Sequence, residues 1–120
     1  MTRPDPRYEE ISVVDTARLL SNGSGLRLID CREDDEMAIC ILPDAEAMPL
    51  TRFHEFFPAR FEDPASGTPA GKPIIVYCHH GVRSLNLARF LRARGVPHVW
   101  SMRGGIEAWS STVDPSVPRY

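Results

Sequence analysis

The chain has 120 residues, 42% of them hydrophobic and 25% charged, which is the profile of one globular domain and excludes both a disordered chain and two separate cores. A formal net charge of -2, from 14 basic and 16 acidic residues, supplies no field to draw nucleic acid or an anionic membrane, so neither is expected as a partner. No apolar run approaches the roughly 18–20 residues that cross a bilayer, and residues 1–10 carry no apolar leader core, so a soluble, cytoplasmic protein is expected.

Ser12, with Asp15 three residues on, predicts a capping box opening a short helix that ends near Gly23. Leu26 to Cys31 alternates weakly and predicts a strand. Glu33 to Ile39 opens with Glu33, Asp34, Asp35 and Glu36, and acids in a first turn favour a helix through its dipole. Ala45 to Leu50 predicts a short strand, after which Thr51 is placed to cap a helix. That helix carries Phe53, Phe56 and Phe57 on one face, read as core packing, and Pro58 disturbs it. Glu62 to Pro73, with Pro64, Gly67, Pro69, Gly71 and Pro73, predicts a surface loop.

The strongest local signal follows. Ile74-Ile75-Val76-Tyr77-Cys78 is a continuous, β-branched apolar run, as expected of a central strand buried on both faces. Ser84 to Arg94 predicts a helix: Leu87, Phe90 and Leu91 share a face, Arg89, Arg92 and Arg94 suit the negative end, and Gly95 suits a left-handed cap. His98 to Met102 predicts another strand, and Gly104-Gly105 leads into a last short helix through Trp109. Strands alternating with helices are the signature of an α/β fold with a parallel sheet.

In such sheets ligands bind at the carboxyl ends of strands, and Cys78-His79-His80-Gly81-Val82-Arg83-Ser84 lies at one of them. A cysteine just before a helix N-terminus has backbone N–H groups and the helix dipole to favour its thiolate, and Arg83 adds a cation. Gly81 supplies the conformational freedom to bend the loop around an anion, and His79 and His80 bring further N–H groups and imidazoles. The bland alternative is an ordinary strand-to-helix turn with a half-buried cysteine. Consecutive Cys78, His79 and His80 diverge and find no second ligand pair, so no metal site is expected. Lone His54 reads as a surface helix residue and lone His98 as a strand-start residue. Three cysteines without paired spacing, Cys31, Cys40 and Cys78, read as free thiols in a reducing compartment.

Three segments carry a family resemblance: Asp30-Cys31-Arg32-Glu33 with Glu36, the loop Tyr77 to Ser84, and Met102-Arg103-Gly104-Gly105-Ile106-Glu107-Ala108-Trp109. In this order and at these separations the chain resembles a single-domain rhodanese from about Ile11 to Trp109, with residues 1–10 as an extension, 11–112 as the domain and 113–120 as a tail. The resemblance implies a rhodanese-like α/β fold, a five-stranded parallel sheet flanked by helices on both faces. It also implies a sulfurtransferase in which the Cys78 thiolate attacks the outer sulfur of a small anionic donor such as thiosulfate and becomes a persulfide. The sulfur then passes to cyanide, a thiol or an acceptor protein. The donor is a dianion and sulfite leaves as an anion, so the chemistry needs charge stabilisation more than a general base, and no cofactor. Substrate contacts are expected from His79, His80, Gly81, Val82, Arg83 and Ser84, with Arg103 at a neighbouring strand end facing the same pocket.

Two other functions stay open. Cell-cycle phosphatases of related fold place one residue more between cysteine and arginine, whereas four lie between Cys78 and Arg83, a smaller bowl that favours sulfur over phosphorus. Some rhodanese-like domains serve only as protein-binding modules, but they lack the cysteine that is present here as Cys78. The tail Val113 to Tyr120 is similar to the end of rhodanese domains fused behind adenylating enzymes, which suggests sulfur relay to a protein. The sequence also departs from the family's usual G-H-I-x-G-A turn, with Cys40, Ile41 and Asp44 at its Gly, His and second Gly positions. Cys31 ends a parallel strand, which should put it on the same sheet edge as Cys78, and reads first as a small buried side chain, with resolution of a persulfide as the sharper alternative. Asp30 and Arg32 are expected to form a structural ion pair, and Trp100 and Trp109 to be core or lid residues.

Overall fold

The computed structural model describes residues 5–22, 25–57, 59–61 and 72–120. Its elements in chain order are β1 (Glu10–Ile11), α1 (Val13–Ser21), β2 (Arg27–Asp30), α2 (Asp34–Ile39), β3 (Glu46–Ala47), a 3₁₀ helix (Leu50–Glu55), β4 (Ile74–Tyr77), α3 (Val82–Ala93), β5 (Val99–Met102) and α4 (Gly105–Thr112). The five strands form one parallel sheet in the order β1-β5-β4-β2-β3, the architecture expected from the alternation of elements.

Every side chain of β4 is buried, so the strand is clamped from both faces. Ile74 and Val76 pack with Ile29, Val99, Phe53 and the α3 residues Leu87, Ala88 and Leu91 on one face. Ile75 and Tyr77 pack with Leu28, Trp100, Met102, Val13 and Leu19 of α1, and Ile106 and Trp109 of α4, on the other. Burying one such large apolar side chain contributes ~1.5–3 kcal/mol, so the strand is fixed and the loop after it is anchored at a rigid point. Both tryptophans belong to this core, and Trp100 Nε1 donates to the Asp5 carbonyl at 2.9 Å.

The structure departs from the sequence reading in five places, the first being that the strand expected over Ala45 to Leu50 is only Glu46–Ala47, with Leu50 already in the 3₁₀ helix. Glu10 and Ile11, read there as extension and domain start, form the edge strand β1 beside Ser101 and Met102. The expected helix capped by Thr51 is a 3₁₀ turn that follows Pro49, and the Thr51 hydroxyl donates instead to Glu33. Its aromatic stripe packs as expected, with Phe53 buried and Phe56 and Phe57 against the α3-side core. α3 begins at Val82 rather than Ser84, because Gly81 takes a left-handed φ of 103° and turns the chain directly into the helix. α4 runs on past Trp109 to Thr112. The disturbance assigned to Pro58, the helix end near Gly23 and most of the loop from Glu62 lie outside the described residues. Among the described residues no helix is long and apolar enough to cross a membrane.

Candidate active site

Cys78 is the first residue past β4, at the carboxyl edge of the sheet, and only 1% exposed. The chain turns over three residues and enters α3, so the first-turn amides, which have no partner within a helix, open toward the sulfur. The Gly81 amide donates to Cys78 Sγ at 3.1 Å and the Ser84 amide at 3.4 Å. The Ser84 hydroxyl lies 3.4 Å from the same sulfur and 2.7 Å from the Ser101 hydroxyl on β5. The Ser84 hydroxyl also lies 3.3 Å from the Gly81 carbonyl; an ionised sulfur can only accept, so Ser84 then turns its proton to the sulfur and Ser101 donates to Ser84. The thiol of Cys31 hydrogen-bonds the sulfur as well.

These donors outweigh burial. Led by the Cys31 hydrogen bond, and with Ser84 and Gly81 adding to it, they pull the Cys78 pKa from an ordinary 9.0 down to about 5 against the desolvation that opposes charge. Cys31 moves the other way: its bond to Cys78, then its burial, hold its proton on far above the usual thiol range. One sulfur of the pair is thus ionised at neutral pH and its neighbour is not.

The Gly-Gly segment after β5 holds the loop from beneath. Ile106 and Glu107, in the first turn of α4, donate their amides to the carbonyls of Cys78 and His79 at 2.9 and 3.1 Å. A Cβ on Gly105 would stand 2.4 Å from each of those two oxygens, so only glycine allows this approach. The sequence motif is therefore the seat of the Cys78 loop.

Arg83 does not stand as an unpaired cation. Its guanidinium meets Glu36 in a bidentate pair at 2.6 and 2.9 Å, which holds the Glu36 carboxyl at about 2. Tyr120 donates its hydroxyl to the same carboxylate at 2.8 Å and accepts from Arg32 at 2.9 Å. Arg32 and Asp30 form the expected ion pair with both side chains at 0% exposure, and Arg32 also donates to the Cys40 carbonyl. The His79 ring is stacked between His80 and Tyr120, each centroid 3.9 Å away, and its burial and the charge of His80 lower its pKa. Buried His79 Nε2 has no hydrogen-bond partner and faces Glu107 at 3.9 Å. Val82 is exposed at the loop's rim. Arg103 is exposed and pairs with Glu10 of β1 at 3.7 Å.

Sequence reasoning thus names the loop but misses the surroundings: Ser101, the Tyr120 stack and the Glu36 clamp on Arg83. Only Glu36 has a sequence signal, its place in the acidic segment after β2. In the altered turn after α2, Asp44 adopts a φ of 63°, the left-handed conformation that suits the glycine it replaces, and Cys40 Sγ points to the Pro118 carbonyl at 3.7 Å. Among the described residues no group of three or more His, Cys, Asp or Glu could hold a metal ion. A cavity of about 440 Å³ lined by Leu50, Phe53, Phe57, Leu87 and Phe90 contains none of the expected site residues.

Comparison with known proteins agrees with this fold. The profile of the rhodanese-like domain matches residues 12–112. The chain is 38% identical over 94 residues to the rhodanese-like/PpiC domain-containing protein 12 of Arabidopsis thaliana, covering 78% of this chain and 30% of that protein. It is 33% identical over 114 residues to the adenylyltransferase and sulfurtransferase MOCS3 of Drosophila virilis, covering 93% of this chain and 25% of that one. The chain therefore spans a third or less of these two relatives. The thiosulfate sulfurtransferase GlpE of Pseudoalteromonas translucida is 28% identical over 112 residues, covering 93% of this chain and 98% of its own length. Among solved structures, a rhodanese-like domain protein from Staphylococcus aureus superposes with a TM-score of 0.74 at 21% identity, over 94% of this chain and 99% of that one. The human single-domain sulfurtransferase TSTD1 does so with a TM-score of 0.70 at 23% identity, over 88% and 97%.

Proposed function

The chain belongs to the rhodanese-like domain family, and we propose that it works within that family as a sulfurtransferase through a persulfide on Cys78. The observation that carries the reading is the buried Cys78 sulfur accepting the Gly81 and Ser84 amides at the mouth of α3. The thiolate attacks the outer sulfur of thiosulfate, the sulfur–sulfur bond breaks with its electron pair on sulfite, and a persulfide anion remains on Cys78. Three negative charges enter the step and three leave it, so the loop's task is to hold anions. Amides at a helix start do this without a cofactor, each such interaction being worth ~0.3–1 kcal/mol and more when partly buried. The bowl between Cys78 and Arg83, with four intervening residues, suits a sulfur centre better than a phosphoryl group.

The acceptor is a small thiophile or a protein thiol. Support for a protein acceptor comes from the relatives named as joint adenylyltransferases and sulfurtransferases. Three free cysteines fit a reducing compartment, the cytoplasm. Incubation with thiosulfate and intact mass measurement should show one added sulfur atom, lost on reduction and absent from Cys78→Ser. Unmodified wild-type protein, or a serine variant with near wild-type turnover to cyanide, would sink this reading. An aryl phosphate assay run alongside separates it from phosphatase chemistry.

A further inference from the structure

The proposed transfer uses one cysteine, yet a second lies against it. β2 and β4 run in register through Asp30 and Tyr77, which makes Cys31 and Cys78 the next pair along. The Cys31 amide donates to the Tyr77 carbonyl at 3.0 Å, carrying the ladder one residue past the strand ends. Side chains alternate faces along a strand, and Ile29, Cys31, Val76 and Cys78 all fall in the α3-side core. The two free cysteines are therefore neighbours on one face of the sheet. Adjacent strands lie ~4.7–4.9 Å apart, inside the ~4.4–6.8 Å Cα separation that a disulfide spans. A bond can close between these sulfurs while the strands stay in place.

We propose that Cys31 is a resolving cysteine that displaces whatever sulfur is bound to Cys78, giving the protein a second activity: release of sulfane sulfur as hydrosulfide with closure of a Cys31–Cys78 disulfide. The hydrosulfide arm rests on the persulfide reading above. In it the Cys31 sulfur attacks Cys78 Sγ, and the bond from Sγ to the sulfane sulfur breaks with its electron pair on the departing atom. The Cys31 proton leaves with it as hydrosulfide. Cys31 is oxidised, the sulfane sulfur is reduced, and no outside oxidant enters. A dithiol reductant then reopens the disulfide.

Which sulfur is attacked decides the outcome. An external acceptor takes the outer sulfur, which is transfer. Cys31 stands beside the inner one, on a residue only 1% exposed, which is release. Acceptor supply therefore sets the partition between the two products.

The test has two arms, on the full chain and on Cys31→Ser, Cys31→Ala and Cys40→Ser. In the first, protein is loaded with thiosulfate without acceptor, and mass and hydrosulfide are followed together. Wild type and Cys40→Ser should gain one sulfur, then fall to a mass two hydrogens below the reduced chain, with peptides linking Cys31 to Cys78. Both Cys31 variants should keep the persulfide and release no hydrosulfide. The second arm uses 2-hydroxyethyl disulfide, which needs no sulfur donor: a mixed disulfide on Cys78 should give way to the same cross-link with loss of mercaptoethanol. A wild-type persulfide that persists, or hydrosulfide release that survives in the Cys31 variants, overturns the proposal and leaves the sulfurtransferase reading intact. Closure of the cross-link in the second arm with no persulfide in the first supports Cys31 and removes the sulfurtransferase. No cross-link in either arm overturns it in wild-type protein alone, independent of how any variant folds.

Discussion

Replacing Ser84 with alanine removes one donor from the Cys78 sulfur and leaves both loop amides in place. A hydrogen bond to a charged group contributes ~1.5–3 kcal/mol, and the 3.4 Å separation of Ser84 Oγ from the sulfur places this one at the low end. Since ~1.4 kcal/mol corresponds to one pKa unit, the Cys78 pKa should rise from about 5 to about 6. Near pH 5 the ionised fraction then falls from about one half to about one tenth, while near pH 8 both proteins remain almost wholly ionised. The assay is the rate of Cys78 alkylation by iodoacetamide across pH, with the inflection as the readout. The plateau above it should rise, because a more basic thiolate is the better nucleophile. Ser101→Ala should move the inflection the same way by less, since Ser101 acts by orienting the Ser84 hydroxyl at 2.7 Å. An inflection that stays near 5 in Ser84→Ala, or moves lower, would refute the claim that this hydroxyl donates to the thiolate.

Gly105→Ala forces a methyl to within 2.4 Å of the Cys78 and His79 carbonyls at a φ of +61°. Strain and two weakened amide bonds should together cost roughly 2–4 kcal/mol. The variant's urea midpoint and its sulfur transfer rate should fall together, and unchanged values would show that α4 does not seat the loop. Glu36→Gln leaves Arg83 without its countercharge, so the KM for a dianionic donor should fall about fivefold at low salt, ~1 kcal/mol, with the difference vanishing at high ionic strength. A KM that rises, or a gain that ignores salt, would mean that Arg83 serves the fold and not the anion.

What could be read without coordinates depends on how local each signal is. β4 and α3 are written in contiguous residues, the apolar run Ile74 to Tyr77 and the Leu87 and Leu91 face behind Gly81, although Phe90, read onto that face, is exposed and Ala88 is buried there instead. β1 is two residues long, Glu10 and Ile11, and a pair carries no periodicity to detect. The phenylalanines at 53, 56 and 57 predict a buried face equally well for an α-helix or the 3₁₀ turn that forms, so their packing was legible and their backbone was not. The site divides in the same way. Cys78, Gly81 and Ser84 lie within one turn of chain, whereas Arg83 meets Glu36 47 residues away and Tyr120 meets Glu36 84 residues away. Such contacts follow from strand order and from where the tail lies, which no window of sequence contains. The Cys31–Cys78 contact is intermediate: both cysteines end apolar strands, but their adjacency needs the β2–β4 register.

The position of β4 has a further consequence. It is the third of five strands, with β5 and β2 on its sides and two-residue strands at both margins. Margins fray at small cost, while a middle strand separates only when the whole sheet does. Breathing at the rims therefore leaves the anchor of the Cys78 loop undisturbed, and amide exchange along residues 74–77 should be as slow as complete unfolding.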